Sequence, residues 1–232
     1  MVVTSHSVVI GTERVPVRIV RTKRARSMNL SLMHNQRALR LTLPQRTALQ
    51  EGMAFVNSQS RVVARWLVQV PSPVLLTAGA EIMWRGLACT IIHDSSLGRT
   101  VLHTEGKISL GGPIELLATR LRRWILQEAK ADLTRRATDV ANTNNLTIKQ
   151  LRFGDPRSRW GSCSSDGRIS LSWRLIMAPD DVRHYVVVHE LAHLTHMNHS
   201  PAFWQEVTRL GGDIRHRHWL KHNGMRLHGF IV

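Results

Sequence analysis

The sequence predicts an α+β fold, with a β-rich amino-terminal part followed by a compact part centred on one buried helix and the β-hairpin before it. Three observations carry this. Short alternating or β-branched apolar runs crowd residues 7–43 and 82–110, and from residue 114 apolar positions recur at three- and four-residue steps. Gly111-Gly112-Pro113 is the clearest break between the two patterns. The expected organisation is a β-rich region over 1–112 and a second domain over 113–232.

In chain order, Val8–Ile10, Val15–Val20, Met28–Leu32 and Leu39–Leu43 read as a β-meander, with turns at Gly11 and His34-Asn35. Arg21 to Arg26 is a dense basic cluster between strands. Residues 45–69 switch to helical spacing, and Pro71-Ser72-Pro73 ends them. Strands follow at Ile82–Trp84, Cys89–Ile92, Thr100–His103 and Lys107–Leu110. A long amphipathic helix is expected from Ile114 to about Asn142, on Leu117, Leu121, Trp124-Ile125, Ala129 and Leu133. Leu146–Leu151 is a strand, and Asp166-Gly167 turns a hairpin between Arg159–Cys163 and Arg168–Trp173. No internal sequence repeat is visible.

The most chemical stretch is His189-Glu190-Leu191-Ala192-His193, with His199 six residues on. Asp180 and Asp181 suit the first turn of a helix expected to run to about His196. On that helix His189 and His193 share a face and can aim imidazoles at one ion, while Glu190 beside them can take a proton from a water on that ion. The helix is apolar nearly all round and hence buried, where two histidines and a glutamate are poor core material without a metal. His199 reaches the same ion only if the chain turns back. His196-Met197-Asn198 can supply the turn through a left-handed Asn, and Ser200-Pro201 then opens a helix that stops at Gly211-Gly212. His196 and Glu206 compete for the third-ligand role.

His189-Glu190-x-x-His193, His199-x-x-x-Phe203-Trp204 and Arg159-Trp160-Gly161-Ser162-Cys163 together resemble the YgjP-like metallopeptidase family, related to the SprT-like and WLM zincins. The resemblance runs from about Val15 to Asn223. It implies a zincin-like Zn²⁺-dependent hydrolase with His189, His193 and His199 as ligands and Glu190 as base. It also implies that a peptide lies along the hairpin before the helix, with Arg168–Trp173 pairing its backbone. Arg159, Trp160, Arg168, Ile169 and Ser170 are the expected substrate-binding residues; the alternative is that both strands are internal and Trp160 is core. The tail Arg215–His222 either supplies an oxyanion-stabilising group or forms a basic helix closing the domain.

Composition bounds the rest. With 232 residues, 43% of them hydrophobic, the chain can bury a real core, and no apolar run is long enough for a membrane span. The amino terminus lacks signal-peptide features, and two cysteines, Cys89 and Cys163, suit a reducing compartment, so a cytoplasmic location is expected. Cys163 has no base identifiable from sequence and needs no nucleophilic role. The net charge of +16 favours contact with nucleic acid or another polyanion. The leading reading is a zinc metallopeptidase acting on a peptide or protein. A zinc phosphohydrolase acting on nucleotides or other phosphorylated substrates, and a basic nucleic-acid-associated protein with a structural or vestigial metal site, are the alternatives.

Overall fold

Alternating buried positions build the first sheet: Val15, Val17 and Ile19 on one strand and Leu39, Leu41 and Leu43 on another all point inward. The computed structural model describes residues 3–33, 37–69, 74–156 and 159–231. The chain divides into two compact units, Met1–Pro73 and Val74–Phe230. The first contains β1 (Val3–Ile10), β2 (Glu13–Thr22), β3 (Asn29–Met33) and β4 (Ala38–Pro44), followed by helices α1 (Leu49–Ser58) and α2 (Ser60–Gln69). Its strand order is β1-β2-β4-β3, with β2 and β4 parallel and the outer pairs antiparallel. This is not the expected meander. β2 and β4 bury a full inward face and take the centre, whereas β3 is mostly only half-buried and takes an edge. Val56, Val63 and Leu67 of the two helices close that core. The expected turn at His34-Asn35 and the stop at Pro71-Ser72-Pro73 lie outside the described residues.

The second unit opens with β5 (Val74–Leu75), then β6 (Glu81–Trp84), β7 (Leu87–His93), β8 (Val101–Thr104) and β9 (Lys107–Leu110). The order β6-β7-β9-β8 repeats the first sheet, again with a parallel central pair and antiparallel flanks. The junction expected at Gly111-Gly112-Pro113 lies inside this unit. There the glycines allow close packing rather than mark a linker: a Cβ on Gly111 would stand 2.6 Å from the Asp94 carbonyl oxygen, and Gly112 has a φ of +84°.

From there α3 (Leu117–Thr143) runs 27 residues and serves two cores. Leu117, Leu121, Ile125 and Ala129 pack with Ile82, Trp84, Ile91 and Ile108 of the sheet, while Leu133, Ala137, Val140 and Ala141 pack with the next elements. Asn145, at φ 52°, turns the chain out of the helix, and the Leu146 N–H donates to the Ala141 carbonyl. That turn delays the expected strand, so β10 covers Gln150–Gly154 instead of 146–151. β11 (Gly161–Cys163) and β12 (Arg168–Ser172) form the expected hairpin, and the sheet order is β10-β12-β11. A 3-10 segment, Trp173–Met177, leads into α4 (Asp180–Ala192); α5 (Pro201–Arg209), α6 (Arg215–His228) and β13 (Phe230–Ile231) follow. Among the described residues no helix is long and apolar enough to cross a membrane.

A partly buried ionic network ties the start of α4 to α3. Asp132 of α3 accepts from Arg136 Nε at 2.8 Å and from Arg183 Nε at 3.0 Å, and Asp180 accepts from Arg183 Nη2 at 2.8 Å. Arg183 is 2% exposed, so its charge is tolerable only because these carboxylates and the Ala178 carbonyl take its donors.

Candidate metal centre and cleft

Helix α4 places His189 and His193 one turn apart, and its end decides whether His199 can join them. The helix stops at Ala192, earlier than the expected His196, because the N–H groups of Leu194 and Thr195 donate three residues back, to Leu191 and Ala192. Asn198 is not left-handed as expected; the positive-φ non-glycine residues among those described are Arg37, Arg85 and Asn145. Its side chain turns the chain instead, Oδ1 accepting from the Ser200 N–H at 3.3 Å. Ser200 caps α5 and Pro201 occupies its first turn.

The three imidazoles therefore converge. Ligand-capable atoms of His189, His193 and His199 all lie within 4.8 Å of one another, and the Nε2 atoms of His189 and His199 are 3.2 Å apart. In a tetrahedral zinc site two nitrogens are separated by about 3.3 Å, given Zn–N distances of about 2.0–2.1 Å. The donor set thus fits zinc. His193 Nδ1 donates to the His196 carbonyl at 3.0 Å, which orients the ring and leaves Nε2 for the cluster. Burial, then the neighbouring His193, His199 and Arg217, push the pKa of His189 down to about 4, so its ring is neutral near pH 7, as ligation requires. Burial also lowers the pKa of His193, partly offset by its bond to His196.

The competitors for the third position are elsewhere. Glu206 is held by Arg209 through two contacts of 2.7 Å, and among the described residues the metal-competent cluster contains neither Glu206 nor His196. Beneath the cluster lies Phe203, fully buried, its ring centroid 5.0, 4.5 and 4.7 Å from those of His189, His193 and His199. Its spacing places it in the motif without assigning it a role. Here it is the apolar floor that fixes all three rings.

Glu190 is 6% exposed, and burial raises its carboxyl pKa to about 7, the nearby Arg159 charge pulling the other way. Gly161 on β11 makes room for it. A Cβ there would stand 2.6 Å from both Cγ and Oε1 of Glu190, so no side chain fits while the carboxyl stays in place. Gly161 was legible only as a glycine inside a strand motif; the contact is tertiary. Cys163, two residues along, has its thiol pushed up to about 11 by burial first and then by Glu190 and Asp166, which suits no nucleophile.

A cleft of about 240 Å³ opens beside Glu190, lined by Arg159, Trp160, Gly161, Tyr185, Val186, His189, Glu190, Arg217 and Leu220. Of the residues expected to bind substrate, Arg159 and Trp160 line this cleft. Arg168, Ile169 and Ser170 do not line it. β12 is the central strand, paired with β10 through Gln150↔Arg168, Leu151↔Ile169 and Arg152↔Ser170 and with β11 on its other side. With both edges occupied it cannot pair a peptide backbone, and Ile169 is core. The edges belong to β10 and β11, and it is β11 that borders the cleft, through Gly161. Helix α6 both closes the unit, through buried Leu227, and contributes Arg217 and Leu220 to the cleft.

Residues 26–223 match the YgjP-like metallopeptidase domain. The chain belongs to the YgjP-like metallopeptidase family. Its activity is therefore of the metallopeptidase type, with a metal cofactor and a peptide or protein as the substrate class. The YgjP-like chain is also similar to the crystal structure of the metallopeptidase zymogen of Pyrococcus abyssi abylysin, with 22% identity over 47% of this chain and 98% of that one and a TM-score of 0.31. That likeness is too slight to carry an argument. Among curated proteins none matches the chain.

Proposed function

We propose that this YgjP-like protein is a zinc-dependent peptidase in which His189, His193 and His199 hold the metal and Glu190 is the general base. The supporting observation is the convergence of three imidazole nitrogens beside a buried carboxyl that a glycine accommodates. Three protein ligands leave a fourth position open, as catalytic zinc sites do, whereas structural sites close with four. Zinc bound there would acidify a water and polarise the scissile carbonyl. Glu190, with its pKa raised to about 7, can hold the proton taken from the attacking water and pass it to the departing amine. The outer edge of β11 offers the peptide backbone a strand to pair with, beside Glu190 and Arg159.

Metal analysis and peptide hydrolysis test this together. The purified chain should carry one zinc, lost in His199→Ala. Glu190→Gln should keep the zinc and lose about 10²–10⁴-fold in turnover. A Glu190→Gln protein as active as the parent at equal zinc content would sink the mechanism.

A further inference from the structure

Hydrolysis alone does not account for the positive charge in the cleft. The walls are largely apolar, from Trp160, Val186 and Leu220, yet they carry two cations, Arg159 and Arg217, both exposed. Five arginines of the unit, Arg136, Arg174, Arg183, Arg209 and Arg215, contact a carboxylate at 3.0 Å or less, and others on its surface, such as Arg122, Arg123 and Arg152, do not. What sets Arg159 and Arg217 apart is that they line the cleft. Among the described residues Arg159 and Arg217 form no such pair. Glu190, the one carboxylate in the lining, is buried and outside ion-pair contact with either.

Arg217 is also in an electrostatically poor place. It lies in the first turn of α6, where the helix presents its positive end, and Arg215 beside it is already neutralised by Asp213 at 2.6 Å. The Arg217 guanidinium instead rests 5.9 Å from the centroid of the Trp204 ring, and that ring lies 5.8 and 5.7 Å from the rings of His189 and His199. An unpaired cation is thus braced, through the Trp204 ring, close to His189 and His199. A second stands just before the edge strand, where a peptide would lie.

We propose that Arg159 and Arg217 form a carboxylate-binding subsite, so that the enzyme prefers bonds flanked by an acidic side chain or by a free carboxy terminus. This rests on the peptidase reading above. The planar guanidinium fork matches a carboxylate, and charge-assisted hydrogen bonds of this kind support a preference of about 10- to 100-fold. The apolar walls contact the stem of the same residue.

The test uses the zinc-loaded full chain and fluorogenic peptides that differ only by Glu or Gln at one position beside the cleaved bond, each with a free or an amidated carboxy terminus. The expected result is a kcat/KM at least about tenfold higher for Glu over Gln, if the subsite takes a side chain, or for free over amidated, if it takes the terminus. That ratio should fall in Arg159→Gln and in Arg217→Gln and approach one in the double variant. Equal rates for all peptides in the parent, or a ratio that survives the double variant, would overturn the proposal. If the parent cleaves no peptide, the hydrolytic reading fails by itself. Binding of the same labelled peptides to Glu190→Gln, followed by fluorescence anisotropy, then decides the subsite. Tighter binding of the carboxylate-bearing peptide that the arginine variants lose supports it; equal affinities refute it.

Discussion

The two four-stranded sheets share one topology, yet only the second is joined to chemistry. In each, two antiparallel hairpins meet at a parallel central pair, and equivalent residues fill the middle: Ile19 faces Leu41 in the first, and Ile91 faces Ile108 in the second. All four are essentially fully buried. What differs is the chain that follows. After β4 come two ten-residue helices whose Val56, Val63 and Leu67 complete a self-contained core. After β9 comes α3, long enough to leave its sheet and continue into the core that carries α4. A shared sheet does not confer function here; the length of the covering helix connects one sheet to the core beneath the three-histidine cluster and leaves the other with a private core.

The largest break in this comparison is expected from the contact that only the second unit has. Gly161→Ala drives a Cβ into the Glu190 carboxyl, and displacing that base should cost turnover roughly the 10²–10⁴-fold of losing a general base, with zinc content kept. Normal activity in a folded Gly161→Ala protein would show that Glu190 need not stay against β11.

The central pairs can be weighed against each other. Leu41→Ala and Ile108→Ala should each destabilise their own sheet by about 2–5 kcal/mol. Ile108→Ala should also lower the temperature at which zinc is released, whereas Leu41→Ala should not. Hydrogen exchange resolved by segment, with zinc release followed in parallel, separates the two; an identical effect on zinc release would erase the functional distinction between the sheets.

Acid should distinguish the units next. In the metal-free protein His184, His189 and His193 all have pKa values lowered, chiefly by burial, so at these groups the unfolded chain binds more protons than the folded one below about pH 6.5. These histidines therefore remove stability from the second unit as pH drops from about 6.5 toward 4. Glu190 opposes that loss, because its carboxyl, raised by burial to about 7, is protonated first in the folded state. The Arg136 and Arg183 partners hold Asp180 low, and those same arginines hold Asp132 low against its burial, so their contribution persists until pH falls below about 4. In the first unit the Glu13 carboxyl is lowered by its bond to Arg37, a contribution present above about pH 4.5 and lost only below it. In Glu190→Gln, which removes the opposing carboxyl, denaturant titrations of the metal-free protein at pH 7 and pH 5 should show a loss confined to residues 74–230; an equal loss in both units would refute this.

The smallest effect is expected at Glu206. Its pair with Arg209 is largely solvent-exposed on the arginine side, and such pairs contribute about 0.2–1 kcal/mol. Glu206→Gln should change thermal stability little and zinc stoichiometry not at all. Loss of zinc in that variant would transfer the third-ligand role from His199.

Much of the site was legible because its determinants are local. Helical spacing alone puts His189 and His193 on one face, and Ser200-Pro201 is a cap and first turn that any chain would read in the same way. The strand positions of both sheets followed from alternation, and the mixed α+β class from the switch of period near residue 114. Pairing partners did not follow. Alternation tells which residues of β2, β3 and β4 face inward, but only the competition for burial decides that β3 goes to the edge. For the same reason alternation cannot decide between the two readings of β12, the substrate-binding edge that the resemblance implies and an internal strand; pairing on both sides makes it the centre of its sheet.

By itself, then, the sequence determined most of the elements and put His189, Glu190 and His193 side by side on one helix, since these rest on spacings of a few residues along the chain. On sequence alone His199 competes with His196 and Glu206, and it is the turn after α4 that brings it to the other two imidazoles. Tertiary structure alone decided that Gly161 faces Glu190, that Phe203 underlies the three rings, that the Asp132 and Asp180 carboxylates hold α4 through Arg183, and that Arg159 and Arg217 share one cleft. The longest of these links, Gly161 to Glu190, Asp132 to Arg183 and Arg159 to Arg217, join residues 29, 51 and 58 positions apart. Contacts at such range depend on how sheets and helices compete for burial, a choice that no local run of residues encodes.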